Sequence, residues 1–157
     1  MNLFRIALIV SVLFGAGTVL AQEMTADTMQ ALKDKVKTDK KLVVSSNLEL
    51  TDAEAKGFWP VYESYQKDLG GINQRLAKLI ASYADAYNGN TIDDAKAKSL
   101  LSEAVAIENA EVGLKKSYIP KLEKVLPMKK VAIYIQIENK IRALVKYELA
   151  SQIPLAK

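Results

Sequence analysis

The chain has 157 residues, with 22 Lys and Arg against 18 Asp and Glu, and it contains no His and no Cys. The absence of these two residue types excludes zinc fingers, thiol nucleophiles, disulfides and Ser-His-Asp triads. We therefore expect no catalytic residue, no metal site and no cofactor. The composition predicts a protein that is not an enzyme and whose role depends on its surface.

Residues 1–21 have the pattern of a secretory signal peptide. Arg5 supplies a positive charge, an apolar run follows over residues 6–20, and Val19-Leu20-Ala21 offers compact side chains to a signal peptidase. The alternative is an uncleaved membrane anchor, but a span needs about 20 apolar residues. The pattern predicts cleavage after Ala21 and a location in the periplasm or outside the cell.

Residues 22–150 have apolar side chains at helical spacing almost throughout, which predicts a single all-α domain. We expect about four long antiparallel helices, arranged as a helical hairpin, a bundle or a cradle. The first predicted helix covers residues 25–44. It ends at residues 45–47, where Ser and Asn side chains compete for backbone hydrogen bonds. Residues 151–157 are expected to form a frayed C-terminal tail.

The second predicted helix has the clearest pattern. Thr51 and Glu54 form the sequence of a capping box, in which each side chain accepts a hydrogen bond from the other residue's backbone N–H. Pro60 should kink this helix or separate a short leading helix, and Gly70-Gly71 should weaken it. Its apolar seam follows coiled-coil spacings of three and four: Ala55, Phe58, Tyr62, Tyr65, Leu69, Ile72, Leu76, Leu79, Tyr83 and Ala86.

Two more helices complete the prediction. The third begins at Thr91 and closes at Leu126-Pro127, and the fourth covers residues 128–150. The seam of the third consists of Ala97, Leu100, Ala104, Ile107, Leu114 and Tyr118. The fourth has little polar face, so we expect it to lie at the bundle centre or against a second subunit.

Lysines concentrate in two stretches of the chain. Residues 33–41 carry a net charge of +3, and residues 115–130 carry +5. In an antiparallel arrangement both stretches fall toward one end, so we predict a basic pole that attracts an acidic partner. A face that only keeps the protein soluble is the alternative. The lysines assigned to partner binding are Lys33, Lys37, Lys40, Lys41, Lys115, Lys116, Lys121 and Lys124.

An aromatic cluster lies beside Pro60 and has two interpretations. Core packing is the first, because Phe58, Tyr62 and Tyr65 follow the seam spacing. The second interpretation is an exposed apolar patch that includes Phe58 and Trp59 and contacts a partner.

Three glutamates could lie close together inside a helical bundle. Glu108 and Glu111 share one helix face, and Glu138 belongs to the fourth predicted helix. A carboxylate-only site for a hard cation is one possibility. Pairing with Lys or Arg is the alternative and the more common fate of a buried carboxylate.

The start of the second helix resembles a known family signature. Leu50-Thr51-Asp52-Ala53-Glu54 is similar to the Leu-Thr-x-x-Gln motif of the Spy/CpxP family of periplasmic proteins, with Glu in place of Gln. A second copy would be Leu126-Pro127-Met128-Lys129-Lys130, which departs at both Thr and Gln. The resemblance implies a cradle-shaped helical dimer that binds unfolded proteins without ATP or inhibits an envelope stress sensor. The metal-responsive branch uses His-rich ends, so zinc binding is not carried over.

These features predict an ATP-independent binding protein, either chaperone-like or an envelope-stress adaptor. It would form a homodimer and capture an unfolded or acidic polypeptide, or a protein of the envelope, on a basic and apolar surface. A membrane surface is a further candidate partner. Nucleic acid is not, because only Arg75 and Arg142 remain after cleavage and base recognition favours Arg. The alternative function is a structural scaffold that uses its fourth helix in self-association.

Overall fold

The computed structural model describes residues 39–156, and all regular structure in this range is helical. The all-α prediction is therefore confirmed. The described helices are α1 at residues 39–48, α2 at Asp52–Asn88, α3 at Asp94–Glu123 and α4 at Met128–Gln152. The predicted signal peptide, together with Lys33 and Lys37, lies outside the described residues.

Helix α1 continues through the break predicted at residues 45–47. Ser45 Oγ and Asn47 Nδ2 each donate a hydrogen bond to a carbonyl of the preceding helical turn, at 3.0 and 2.7 Å. These side chains bond back onto the helix instead of ending it, and the helix reaches Leu48. Glu49 follows with a φ of 44°, the left-handed conformation that commonly terminates helices.

Helix α2 is unbroken over 37 residues, about 55 Å at 1.5 Å per residue. The capping box is present: Glu54 N donates to Thr51 Oγ1 at 3.3 Å, and Thr51 N donates to Glu54 Oε2 at 2.8 Å. Pro60 lies inside the helix without dividing it, so the separate leading helix is wrong. The reason is packing, because Phe58 and Tyr62 on either side of the proline are fully buried and hold the chain in place.

Helices α2 and α3 form an antiparallel hairpin. The apolar seam of α2 contains no exposed residue, and its most buried members are aromatic. Contacts join the later residues of α2 to the earlier residues of α3, which shows that the two helices run antiparallel. The hydrogen-bonded pairs that show this are Asp68 with Tyr118, Arg75 with Glu103, and Ser82 with Lys96.

The described residues fall into two compact units. The first unit contains residues 39–49 and Ala132–Ile153, and its apolar core consists of Val44, Leu48, Tyr134, Ile137 and Val145. The second unit contains Leu50–Val131 and residues 154–156. Its core is the α2–α3 interface together with Leu122, Leu126 and Val131. No helix in residues 39–156 has an apolar stretch that could cross a bilayer.

Helix α4 has a solvent-exposed face, which corrects its predicted place at a bundle centre. Exposed residues recur along it at spacings of four and three: Ala132, Gln136, Asn139, Ala143 and Lys146. The expectation came from the many Val, Ile, Leu and Tyr side chains of α4, but the polar residues Gln136, Asn139 and Lys146 lie on a face that stays exposed. A second subunit against α4 stays a prediction.

Candidate functional site

Lys40 belongs to the interior of the first unit and not to a basic surface. Its Nζ lies 2.8 Å from Glu138 Oε2, and the two side chains are only 12% and 4% exposed. Removing one member of a buried pair costs about 3–5 kcal/mol, because the other charge is left uncompensated. The predicted partner-binding role of Lys40 is therefore wrong. Lys41, its neighbour, is half-buried.

The lysines of the second unit have different surroundings from Lys40. Lys115 is half-buried, whereas Lys116, Lys121 and Lys124 are exposed. Of the eight lysines predicted to bind a partner, these three are the exposed ones among the residues that the structure describes. The joint basic pole with Lys33 and Lys37 stays a prediction.

Three exposed lysines surround the connection between α3 and α4. Lys121 lies in the last turn of α3, Lys124 follows that helix, and Lys129 lies in the first turn of α4. The side chain of Met128 between them is 56% exposed. We call Lys121, Lys124, Met128 and Lys129 the basic turn.

Buried apolar side chains hold the basic turn in place. Leu122 and Leu126 are 0% and 5% exposed. Val125 packs so closely on α2 that a Cβ at Gly57 would lie 2.9 Å from Val125 Cγ1. Lys121 Nζ lies 3.9 Å from the centre of a tyrosine ring, a cation–π contact. The lysines are thus presented from a fixed backbone.

The start of α4 adds to the positive potential of the basic turn. Helices α2 and α3 each have acidic residues in the first turn, whereas α4 has none. The partial positive charge at its N-terminus is therefore not offset by its own first turn. Lys130 does have an acidic partner, because its Nζ lies 2.7 Å from Glu54 Oε2. Hydrogen bonds from Lys130 and then from the Thr51 backbone hold the pKa of Glu54 below its usual value.

A buried tyrosine joins the two helices of the hairpin. Tyr118 Oη donates to Asp68 Oδ2 at 2.6 Å, and the Tyr118 ring meets Tyr65 edge-on at 5.3 Å. Burial first, and then the hydrogen bond to Asp68, raises the pKa of Tyr118 to about 12. The seam spacing predicted that Tyr118 is buried, but no pattern within one helix could identify Asp68 as its partner.

The aromatic cluster is a packing feature of α2. Phe58 is fully buried, so its predicted place in an exposed patch is wrong and the core interpretation is confirmed for it. Trp59 is half-buried. Its ring contacts Phe58 at 5.0 Å and Tyr62 at 5.3 Å, in edge-on geometry both times.

The three glutamates considered for a cation are in different environments. Glu138 is paired with Lys40, Glu111 is buried on the α3 seam, and Glu108 is exposed. Within residues 39–156, no group of three or more His, Cys, Asp or Glu side chains is placed to hold a metal ion. For Glu138, pairing with lysine is the interpretation that the structure supports.

An exposed apolar stripe on α3 was missed by the sequence analysis. Leu101, Val105 and Val112 are 67%, 48% and 46% exposed. At 3.6 residues per turn they lie within about 40° of one another around the helix. Lys121 lies on about the opposite side of α3 from Leu101, so the stripe and the basic turn are separate surfaces.

No protein-family model matches the chain, and no curated protein or solved structure matches it either. The candidate site is therefore identified from the exposure, charge and contacts of this chain's own side chains. Among them, Lys121 and Lys124 of the basic turn are exposed lysines of the predicted partner-binding set, and Met128 and Lys129 were not part of that prediction.

Proposed function

We propose that this chain is an ATP-independent binding protein of the periplasm, either chaperone-like or an envelope-stress adaptor, that captures acidic polypeptides at the basic turn. The observation that carries the proposal is the group of three exposed lysines around a helix start that has no acidic residue in its first turn. Such a surface raises the local concentration and the association rate of a negatively charged partner.

Electrostatic attraction is the first step of the proposed capture. Lys121, Lys124 and Lys129 project from the same helix–turn–helix connection, and the exposed carboxylate within it belongs to Glu123. The excess of positive charge favours segments rich in Asp and Glu. Exposed charges are screened beyond about 10 Å at 0.1 M salt, so salt should weaken this step.

An apolar contact is the second step. Met128 is 56% exposed at the centre of the basic turn, and its flexible thioether adapts to differently shaped partners. A partner with acidic and apolar residues close together would satisfy both features. Unfolded polypeptides present such combinations, because their apolar side chains are not yet buried.

Two sequence features support the cellular setting of the proposal. Residues 1–21 have the pattern of a cleaved export signal. Residues 50–54 resemble the signature of the Spy/CpxP family. The proteins of that family are periplasmic and bind unfolded polypeptides without ATP. Neither feature depends on the geometry of the basic turn.

The test measures aggregation of an acidic protein diluted from urea, with and without the purified mature protein. The wild type should suppress aggregation at low salt and lose most of this effect at about 0.5 M salt. The triple variant Lys121→Gln, Lys124→Gln, Lys129→Gln should lose most of it at low salt as well. The matched control removes the same charge at exposed lysines elsewhere: Lys67→Gln, Lys78→Gln, Lys140→Gln.

Equal suppression by the two triple variants would contradict the role of the basic turn. No suppression by wild type at a stoichiometric amount would remove the chaperone-like function. Far-UV circular dichroism should show that both triple variants keep their helices, since all six lysines are exposed.

A structural scaffold is the second candidate function. The observation that favours it is the exposed apolar stripe of Leu101, Val105 and Val112, which is the kind of surface that joins protein subunits. A protein that self-associates but leaves aggregation of the acidic client unchanged would support this candidate over the first.

A further inference from the structure

Met128 is the one sulfur-containing side chain in residues 39–156, because the chain has no Cys and its other methionines are Met1, Met24 and Met29. The Met128 side chain is 56% exposed. Peroxide oxidises an accessible thioether to a sulfoxide, which is polar where methionine is apolar. Peroxide therefore has a single, accessible sulfur target in this part of the chain.

The position of Met128 determines what its oxidation would affect. It lies between Lys124 and Lys129 in the basic turn, where it supplies the apolar contact of the proposed capture. The ammonium groups of these lysines are protonated at neutral pH, so they are not nucleophiles and peroxide leaves their charge unchanged. Oxidation would therefore remove the apolar contact of the basic turn and keep its electrostatic attraction.

The backbone on both sides of Met128 is held by contacts that do not involve the Met128 side chain. Leu126 and Val131 are buried. The carbonyl oxygen of Pro127 accepts hydrogen bonds from the N–H groups of Lys130 and Val131, at 2.8 and 3.1 Å. An added oxygen on an exposed side chain disturbs none of these contacts. The effect of oxidation is therefore confined to the surface of the basic turn.

We propose that Met128 is an oxidation site that regulates the basic turn, where conversion to methionine sulfoxide releases polypeptides held by apolar contact. This inference rests on the proposed function, whose setting, the periplasm, is an oxidising compartment. A lone pair on the sulfur attacks one oxygen of hydrogen peroxide, so that an S–O bond forms and the O–O bond breaks. The other oxygen takes up the remaining proton and leaves as water. The sulfur loses two electrons to the peroxide, and thiol-dependent methionine sulfoxide reductases reverse the change.

The first measurement is the reaction itself, on the purified mature protein treated with hydrogen peroxide. Peptide mass mapping should find one added oxygen at Met128, formed at a rate within about threefold of that of free methionine, because the side chain is exposed. Far-UV circular dichroism should show unchanged helix content. A Met128 that stays unmodified while free methionine is converted would overturn the proposal.

Binding to two fluorescent peptides separates the apolar contact from the electrostatic one. The first peptide contains Asp and Leu separated by Gly, and the second has Ser in place of each Leu. Oxidation should weaken affinity for the Leu peptide about fivefold to tenfold, because the exposed half of the Met128 side chain no longer supplies apolar burial. Affinity for the Ser peptide should change by less than about twofold. Methionine sulfoxide reductases should restore binding of the Leu peptide.

Met128→Leu is the matched control, since leucine is apolar, similar in volume and not oxidised by peroxide. Met24 and Met29 still react in this variant, so it should bind the Leu peptide like untreated wild type both before and after peroxide. Met128→Gln carries a polar side chain and should bind like oxidised wild type without any treatment. A loss in Met128→Leu as large as in wild type would assign the effect to another residue and overturn the proposal.

The regulation and the capture fail in different ways. An untreated wild type that binds the Leu peptide, and keeps the same affinity once Met128 is oxidised, would refute the regulation and leave the capture standing. An untreated wild type that binds neither peptide would refute capture at the basic turn, and the regulation with it.

Discussion

At the scale of single residues, Tyr118 links the two helices of the hairpin through one hydrogen bond. The phenol is buried against Tyr65 and donates to Asp68 from the other helix. Its pKa is raised to about 12 in the folded protein, against about 10 in an unfolded chain. The folded state therefore holds this proton more tightly than the unfolded state does.

This difference predicts a specific loss of stability at alkaline pH. Because the folded pKa is the higher one, the contribution of Tyr118 is fully present below pH 10 and is lost as pH rises toward 12. Tyr118→Phe should lower the free energy of unfolding by about 1–3 kcal/mol at pH 8, as expected for a hydrogen bond to a carboxylate. The gap between variant and wild type should close between pH 10 and 12, measured by urea unfolding at each pH.

Tyr147→Phe is the control for this prediction, because the Tyr147 side chain is 73% exposed. It should match wild type at every pH. A gap between Tyr118→Phe and wild type that stays constant up to pH 12 would show that ionisation of Tyr118 is not the cause.

Lys40 shows at the same scale why a charge pattern did not identify a surface. In the sequence it is one of five lysines within residues 33–41, and such runs are usually solvated. In the structure Lys40 forms a salt bridge with Glu138, 98 positions away, and its side chain is only 12% exposed. A salt bridge over that separation depends on the packing of α1 with α4 and leaves no local signal.

At the scale of elements, α2 was predictable in its start, its seam and its length. The capping box needs only Thr51 and Glu54, three residues apart, so a local pattern was sufficient. The continuity of α2 through Pro60 was not predictable. Breaking a helix at proline is a local tendency worth about 3 kcal/mol, and the burial of neighbouring aromatic rings outweighs it.

The glycines of α2 give a paired prediction for this element. Gly71→Ala should stabilise the protein by about 1 kcal/mol, because Gly71 lies inside the helix and a Cβ there meets nothing within 4 Å. Gly57→Ala gains the same helix propensity but places its Cβ 2.9 Å from Val125 Cγ1. Overpacking costs about 1–3 kcal/mol, so this variant should be neutral or destabilised. Urea unfolding followed by circular dichroism measures both.

Relieving the contact completes the test. In the Gly57→Ala background, Val125→Ala removes the Cγ1 methyl group 2.9 Å from the new Cβ and leaves the Cβ of residue 125 at 3.0 Å. The contact is reduced, so the two substitutions should be less harmful together than their separate effects add up to. Strict additivity of the two changes would contradict close packing between Gly57 of α2 and Val125.

At the scale of the whole molecule, the assignment to the periplasm depends on residues 1–21. The signal pattern predicts that the exported protein begins at Gln22. Expression of the full chain in a bacterial host should release a periplasmic product whose mass is that of residues 22–157, measured by intact mass spectrometry. Replacing apolar residues of the 6–20 run with charged ones should keep the protein in the cytoplasm with residues 1–21 attached. A full-length product in the membrane fraction would instead indicate an uncleaved anchor.

The sequence by itself determined the features that depend on nearby residues. Apolar side chains at spacings of three and four dictated four helices, and the box at Thr51 and Glu54 dictated where α2 begins. The composition, with no His and no Cys, also excluded every site that needs an imidazole or a thiol group. Each of these follows from hydrogen bonds and periodicity within a few helical turns.

Only the tertiary structure decided which charges and apolar groups face the solvent. Lys40 and Phe58 became buried, while Leu101 and the lysines of the basic turn stayed exposed. The physical reason is that burial depends on which distant segments pack together. Periodicity assigns a residue to a helix face, but it does not show whether that face meets a partner, as the buried seam and the exposed stripe of α3 demonstrate.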